Sequence, residues 1–329
     1  MPKFNSHAAA AQVNLATKCW CLLFICALLN ACSTVPAPEH QAQLDAQSQN
    51  IAEELRMKWH LHPLLQAYQS NLDQTRMPSD AKPLTGHVFV IVPGWLHLSQ
   101  PDTGADLARQ RASLLALGAS VYLANVQENA SIEDNADRVF RDLTQLAQSH
   151  DSIIVLSASK GGPEAALALT ELGKNQYALW AHKVKAWVNI GGTLRGTALA
   201  DHALDWRVCW LVSSIVVPGG SMEGIRSLSP RRSIARYASI NIPPHVQVVN
   251  LLGIAKAQEI SARGKDGYAM LSSLGPNDGI TLLRDAIYEA APTIVLRGAD
   301  HYFLLPDLDL HTVALAIGLV QTLRAKDLP

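Results

Sequence analysis

The chain has 329 residues, 48% of them hydrophobic, and 27 Lys and Arg set against 28 Asp and Glu give a formal net charge of −1. Near-neutrality argues against nucleic acid or another polyanion as a partner. The length suits one large domain or two small ones.

The N-terminus reads MPKFNSHAAAAQVNLATKCWCLLFICALLNAC, with Lys3 and Lys18 ahead of an apolar run from about Cys19 to Ala31. That run is too short to span a bilayer comfortably, so residues 1–31 are expected to be a signal peptide rather than a transmembrane helix. Residues 32–50, with STVPAPEHQAQLDAQSQN at 33–50, are polar, Pro- and Gln-containing and without apolar period, the composition of a flexible tether. Order is expected to begin near Ile51. From there to about Met77, Ile51, Leu55, Trp59, Leu64, Leu65 and Tyr68 mark a helical pattern interrupted by Pro63, read as a peripheral helical hairpin in an N-terminal segment spanning 51–85. His60-Leu61-His62 has the spacing of metal ligands but no third ligand nearby, which favours a structural or surface role.

A core domain is expected over 86–329. HVFVIV at 87–92 is a continuous apolar run suited to a strand buried on both faces. A helical stretch at about 104–117 ends at Gly118, SVYLANV at 120–126 is a second strand, and SIEDNADRVFRDLTQLAQ is an amphipathic helix whose start has Ser131 and Asp134 as a capping-box-like pair. SIIVLS, a helix from about Gly162 to Leu172 stopped by Gly173, and KAWVNI at 185–190 continue the alternation. Strands alternating with helices imply an α/β fold, a parallel sheet covered on both faces. The alternation fails between about 193 and 244, a segment holding Trp206, Trp210, LVSSIVVP and the basic SLSPRRS, and resumes with VQVVNLLGI at 246–254, TIVLR at 293–297 and the closing helix HTVALAIGLVQTL. The 193–244 stretch is therefore an insertion, either a lid or an ordinary helical cap.

SIIVLSASKGG breaks a strand into a helix at Ser157-Ala158-Ser159-Lys160-Gly161-Gly162. A strand-to-helix turn of this kind holds its central residue strained and needs small neighbours, one device for projecting a nucleophile. Here the chain resembles the α/β-hydrolase family, whose nucleophile elbow reads Gly-x-Ser-x-Gly; Ser157 stands in the place of the first glycine. The resemblance implies an α/β-hydrolase fold, a mostly parallel sheet with a helical cap or lid insertion, and Ser159 as nucleophile. The family order of serine, acid and histidine further implies His301, directly after TIVLRGAD, and Asp278, in an Asn-Asp-Gly-hydrophobic loop like that of bacterial lipases. Asp300, next to His301, is badly placed to reach its ring and is expected to brace the turn, and Glu259 is the reserve candidate for the acid. By the same resemblance the backbone amides of Trp95, in Val92-Pro93-Gly94-Trp95, and of Lys160 would bind the oxyanion. VNIGGTLRGTALAD at 188–201 is similar to a segment of lipases and related lipid-ester hydrolases, with Thr193 and Leu194 in place of Pro and His.

Leu29-Asn30-Ala31-Cys32-Ser33 resembles the lipobox of bacterial lipoproteins, which implies Cys32 as the acylated first residue of the mature chain. Of the five cysteines, Cys19, Cys21 and Cys26 precede that position, leaving Cys32 and Cys209. Acylation of Cys32 would thus exclude an intramolecular disulfide. The expectation is an enzyme of the bacterial cell envelope, lipid-anchored at the outer membrane facing the periplasm, with an ester or lipid substrate, no nucleic acid partner and an oligomeric state left open. No cofactor is expected: neither the glycine pair at 191–192 nor the elbow has the spacing of a dinucleotide or phosphate loop. A peptidase, thioesterase or polyester hydrolase on the same three residues, and a non-catalytic envelope binding protein that keeps the elbow, stay open as alternatives.

Overall fold

The computed structural model describes residues 36–73, 82–175, 178–205 and 222–326. The expected signal peptide, Cys32, Cys209, Trp206, Trp210 and LVSSIVVP lie outside the described residues. Among the described residues two helices come first, α1 (Pro38–Trp59) and α2 (Pro63–Asp73), with the break at Pro63 as expected. α1, however, begins well before Ile51 and takes up most of the segment read as a tether. Its packed stripe is Leu44, Ser48, Ala52 and Leu55. Two of those four positions hold Ser and Ala, so the helical period carries little apolar signal, and Pro38 enters at the first turn, where proline is tolerated.

Six strands follow: β1 (Val88–Val92), β2 (Ser120–Leu123), β3 (Ile153–Ala158), β4 (Val184–Ile190), β5 (Gln247–Ile254) and β6 (Thr293–Arg297). They form one sheet in the order β2-β1-β3-β4-β5-β6, and every pairing is parallel. β1 and β3 are buried along their full length, as continuous Val/Ile/Leu runs in a parallel sheet must be. The crossovers supply α3 (Ala108–Ala116), α4 (Ile132–Leu146) and α5 (Gly161–Lys174), and the chain closes with α10 (Leu308–Lys326). Ser131 caps α4, its side chain accepting the Asp134 N–H as the sequence suggests. Gly173, expected to stop α5, is its penultimate residue.

One face of the sheet buries Phe89, Ile91, Ile154 and Val249 against α2, α3 and α10 through residues such as Leu64, Leu114 and Leu319. The other buries Val90, Val155 and Trp187 against α4 and α5 through Val139, Leu143, Ala165 and Leu169. The insertion between β4 and β5 is helical where described: α6 (Ala198–Leu204), α7 (Glu223–Arg226) and α8 (Pro230–Tyr237). Between β5 and β6 the chain makes a second excursion, through a 3-10 turn at Ala257–Glu259 and α9 (Lys265–Leu271). Both excursions leave from the C-terminal ends of their strands, the end at which α/β sheets place ligands.

Candidate active site

Ser159 sits between β3 and α5 with φ of 51°, a left-handed value that costs a side-chain-bearing residue of order 1 kcal/mol and survives only where the surroundings impose it. The surroundings here are glycines. A Cβ on Gly161 would lie 2.3 Å from the Val92 carbonyl oxygen, and one on Gly94 would lie 3.2 Å from the Ser159 Cβ. Ser157 is wholly buried, and the Trp187 indole N–H donates to its Oγ at 2.8 Å. Its hydroxyl therefore does more than fit the space of a glycine: it is the partner of the largest side chain buried in that layer.

The serine, histidine and aspartate singled out in the sequence meet at this turn, although they come from three separate loops. Ser159 Oγ is 2.9 Å from His301 Nε2, and His301 Nδ1 is 2.8 Å from Asp278 Oδ2. The other carboxylate oxygen of Asp278 accepts the N–H groups of Ile280 (2.9 Å) and Thr281 (2.8 Å), and the Asp278 carbonyl accepts the His301 N–H at 2.9 Å. Asp278 is only 1% exposed. Burial pushes His301 toward its neutral form, but the attraction and hydrogen bond of Asp278 outweigh it and hold the imidazole above the usual histidine range. The excursion through α9 explains how an acid so far beyond the end of β5 reaches the site: it returns the chain to a tight turn closed by a bridge between Asn277 and Leu282.

Asp300 does not face the ring. Its oxygens accept the N–H groups of Tyr302 (3.0 Å) and Ser261 (2.8 Å), so it braces the turn carrying His301. Glu259 is spent on the Lys256 N–H at 2.7 Å. His60 contacts the Met57 carbonyl, and the His62 ring accepts the Leu64 N–H, both at the break between α1 and α2.

Trp95 lies on the loop after β1, and its indole donates to Asn129 Oδ1 at 3.2 Å. The loop is pinned from outside as well: Glu128 accepts the N–H groups of Leu98 (2.6 Å) and Ser99 (2.8 Å), and the Gly94 N–H donates to Ala105 O at 2.8 Å. Among the described residues, no hydrogen bond engages the backbone amide of Trp95 or of Lys160. Both amides are thus open to a ligand. Glu128 and Asn129 drew no notice in the sequence, because nothing in Gln127-Glu128-Asn129 marks a segment that reaches across to another loop.

Beneath the turn, the Lys160 ammonium is hydrogen-bonded to Glu164 Oε1, which also accepts from the Asn135 amide at 2.8 Å. Both members of the pair are buried, and Glu164 Oε2 has no partner. Burial pushes the Glu164 carboxyl up, against the pull of Lys160 and Asn135. The i,i+4 spacing of Lys160 and Glu164 was visible in the sequence, but such pairs normally lie on solvated helix faces.

Above the serine opens a cavity of about 490 Å³, walled mostly by apolar side chains including Leu96, Leu107, Ile225, Leu228, Met270 and Phe303. Among the described residues, the non-glycine residues with positive φ are Leu96, Leu107, Ser159 and Phe303, and all four border this cavity. Backbone strain concentrated around one cavity is a mark of a functional site. No group of three or more metal-ligating side chains occurs among the described residues.

This architecture is the α/β-hydrolase fold, and solved structures bear that out. A metagenomic carboxyl esterase superposes with a TM-score of 0.60 at 19% identity, over 77% of this chain and 80% of its own. The mature form of a lipase from Bacillus licheniformis superposes with a TM-score of 0.53 at 22% identity, over 70% of this chain and 89% of its own. No protein-family profile and no curated protein matches the sequence.

Proposed function

We propose that this protein is a serine hydrolase that cleaves carboxylic esters through an acyl-enzyme. The observation that carries the reading is the hydrogen-bonded chain from Ser159 through His301 to Asp278 at the floor of an apolar cavity. Ser159 Oγ attacks the ester carbonyl while His301 Nε2 takes its proton, and Asp278, fixed by two backbone N–H groups, holds the tautomer with the Nδ1 proton facing it and stabilises the imidazolium that forms. The amides of Trp95 and Lys160 receive the negative charge that develops on the carbonyl oxygen, each such donor being worth about 10²–10³ in turnover. His301 then protonates the departing alcohol, and the same residue activates the water that releases the acid.

The esterase and the lipase that share the fold support the choice of reaction class, and the apolar walls favour an apolar acyl or alcohol portion over a peptide. A fluorophosphonate should label the wild type and not Ser159→Ala, and a panel of p-nitrophenyl esters of rising chain length, with a thioester and a peptide anilide alongside, ranks the substrate classes. An unlabelled wild type that turns over no ester would defeat the reading. The proposal includes acylation of Cys32 and attachment to the outer membrane, supported by Leu29-Asn30-Ala31-Cys32-Ser33. Membrane fractionation of Cys32→Ala tests it: a variant still sedimenting with membranes refutes the anchor.

A further inference from the structure

The peptide unit between Gly94 and Trp95 carries the amide of Trp95, one of the two proposed oxyanion donors, and it lies against the nucleophile. A Cβ on Gly94 would come within 3.2 Å of the Ser159 Cβ and 3.3 Å of the Ala105 Cβ. That closeness demands glycine at 94, and glycine is conformationally permissive. A peptide unit flanked by glycine can turn about its neighbouring Cα atoms and exchange the directions of its N–H and C=O with little disturbance to the rest of the chain. Leu96, just beyond the unit, holds a left-handed φ of 58°, which persists only where the surroundings impose it. The chain is tied down before and after, by the Gly94 N–H on Ala105 O at 2.8 Å and by the Gln100 N–H on Leu96 O at 2.7 Å. Among the described residues, no backbone group bonds either end of the Gly94–Trp95 unit itself.

That unit is held by His97. The ring Nδ1 lies 3.2 Å from the Gly94 carbonyl oxygen, and the residue is only 5% exposed. A carbonyl oxygen only accepts, so Nδ1 carries the proton and donates it. Burial holds the imidazole below the usual histidine range, against the pull of Glu128, so at neutral pH the ring has a single N–H to give. In a trans peptide the C=O and the N–H point in opposite directions, so a donor that fixes the Gly94 oxygen on one side fixes the Trp95 N–H on the other. Glu128 anchors the histidine in turn, by accepting the N–H groups of Leu98 and Ser99 that follow it. We infer that His97 is a positioning residue for ester cleavage: by donating to the Gly94 carbonyl, it keeps the Trp95 amide turned toward the carbonyl oxygen of the bound ester. It touches no reacting atom.

The inference rests on the ester-hydrolase reading and its oxyanion donors, and the test separates it from that reading. Asparagine places its side-chain NH2 where histidine carries Nδ1, glutamine places its own nearer to Nε2, and leucine offers no donor. Wild type, His97→Asn, His97→Gln and His97→Leu are compared in hydrolysis of the best p-nitrophenyl ester, in thermal melting, and in inhibition by an alkyl trifluoromethyl ketone, whose adduct with a serine carries an oxyanion. His97→Leu and His97→Gln should lose about ten- to a hundredfold in kcat, up to the lower end of the 10²–10³ expected when a donor is removed outright. His97→Asn should stay within about threefold of wild type, and KM should change by no more than about twofold in all three. Affinity for the trifluoromethyl ketone should fall by the same factor as kcat/KM, because the oxyanion exists only in the transition state and in the adduct. A role in folding alone would lower the melting temperature without that proportionality. Wild-type kcat in whichever of His97→Leu and His97→Gln folds, an asparagine variant as slow as these, or a loss confined to KM would overturn the inference while leaving the hydrolase intact. A wild type that hydrolyses no ester and takes up no fluorophosphonate would overturn the hydrolase reading, and the inference with it.

Discussion

On the cavity side of Ser159, both oxygens of Asp278 are engaged, one by the His301 ring and the other by two backbone N–H groups. On the underside of the same turn, Glu164 shares one oxygen between Lys160 and Asn135, while its other oxygen is buried with no partner. The two carboxylates are equally hidden, yet each oxygen of the first has a partner, while the second has one oxygen without any and is pushed up by burial. Proximity to the nucleophile is thus a poor guide to chemistry. The completeness of a buried group's hydrogen bonds is a better one, because each bond fixes the position of the group.

The contrast is broken most severely on the cavity side. On the proposed mechanism, Ser159→Ala should lower turnover by about a millionfold, with an unchanged melting temperature. Asp278→Asn should cost about ten-thousandfold in turnover. It should also move the pH profile: kcat/KM requires neutral His301, whose affinity for the proton Asp278 raises above the usual histidine range. The acid limb of the wild type is therefore expected above the ordinary histidine midpoint, and in Asp278→Asn, where burial is opposed only by the lesser attraction of Asp300, lower than in the wild type. A limb that stays put would show that Asp278 does not set the imidazole's charge.

On the underside the expected loss is in stability. Lys160→Met should cost about 3–5 kcal/mol in urea unfolding by stranding Glu164, and Lys160→Met with Glu164→Leu should recover most of it. Turnover in the double variant should remain within about tenfold of wild type, because the amide of residue 160 is main chain. A loss as deep as that of Asp278→Asn would place the pair in the chemistry after all. Ser157→Gly should keep fluorophosphonate labelling and lose about 1–2 kcal/mol, the cost of leaving the Trp187 indole unpaired. The smallest effect is expected from Asp300→Asn, which weakens one of two turn-bracing contacts: turnover within about tenfold and at most ~1 kcal/mol of stability.

Much of this arrangement is legible in the sequence wherever the signal is local. TIVLR at 293–297 forms β6 with those bounds, and Ser131 caps α4, because strand runs and caps are properties of a few adjacent residues. The three residues of the hydrogen-bonded chain came from family resemblance and chain order. Spacing alone would not have placed Asp278 at the site, since a 3-10 turn and α9 intervene between the end of β5 and its loop. What the sequence hides is contact at long range through unremarkable residues. Glu128 holding the Trp95 loop and the indole on Ser157 both depend on which elements lie side by side. α1 is hidden for a different reason: Ser48 and Ala52 pack as well as larger residues where a helix lies close, but they leave no hydrophobic period.

α1 also carries a direction. Near its start, the His40 ring lies 3.1 Å from Ser272 O and Asp45 accepts the Ala257 N–H at 3.0 Å, both on the excursion that walls the cavity; at its finish, Lys58 donates to Glu289 O, ahead of β6. The helix therefore runs from the cavity end of the sheet to the opposite end, and the chain enters the fold beside the cavity. Five residues, 33–37, separate Cys32 from Pro38, a contour of no more than about 20 Å even when fully extended. With the proposed acyl chain on Cys32, so short a leash would not let the body drift and turn freely. It would hold the end of the body where α1 begins, beside the excursion after β5, close to the bilayer surface.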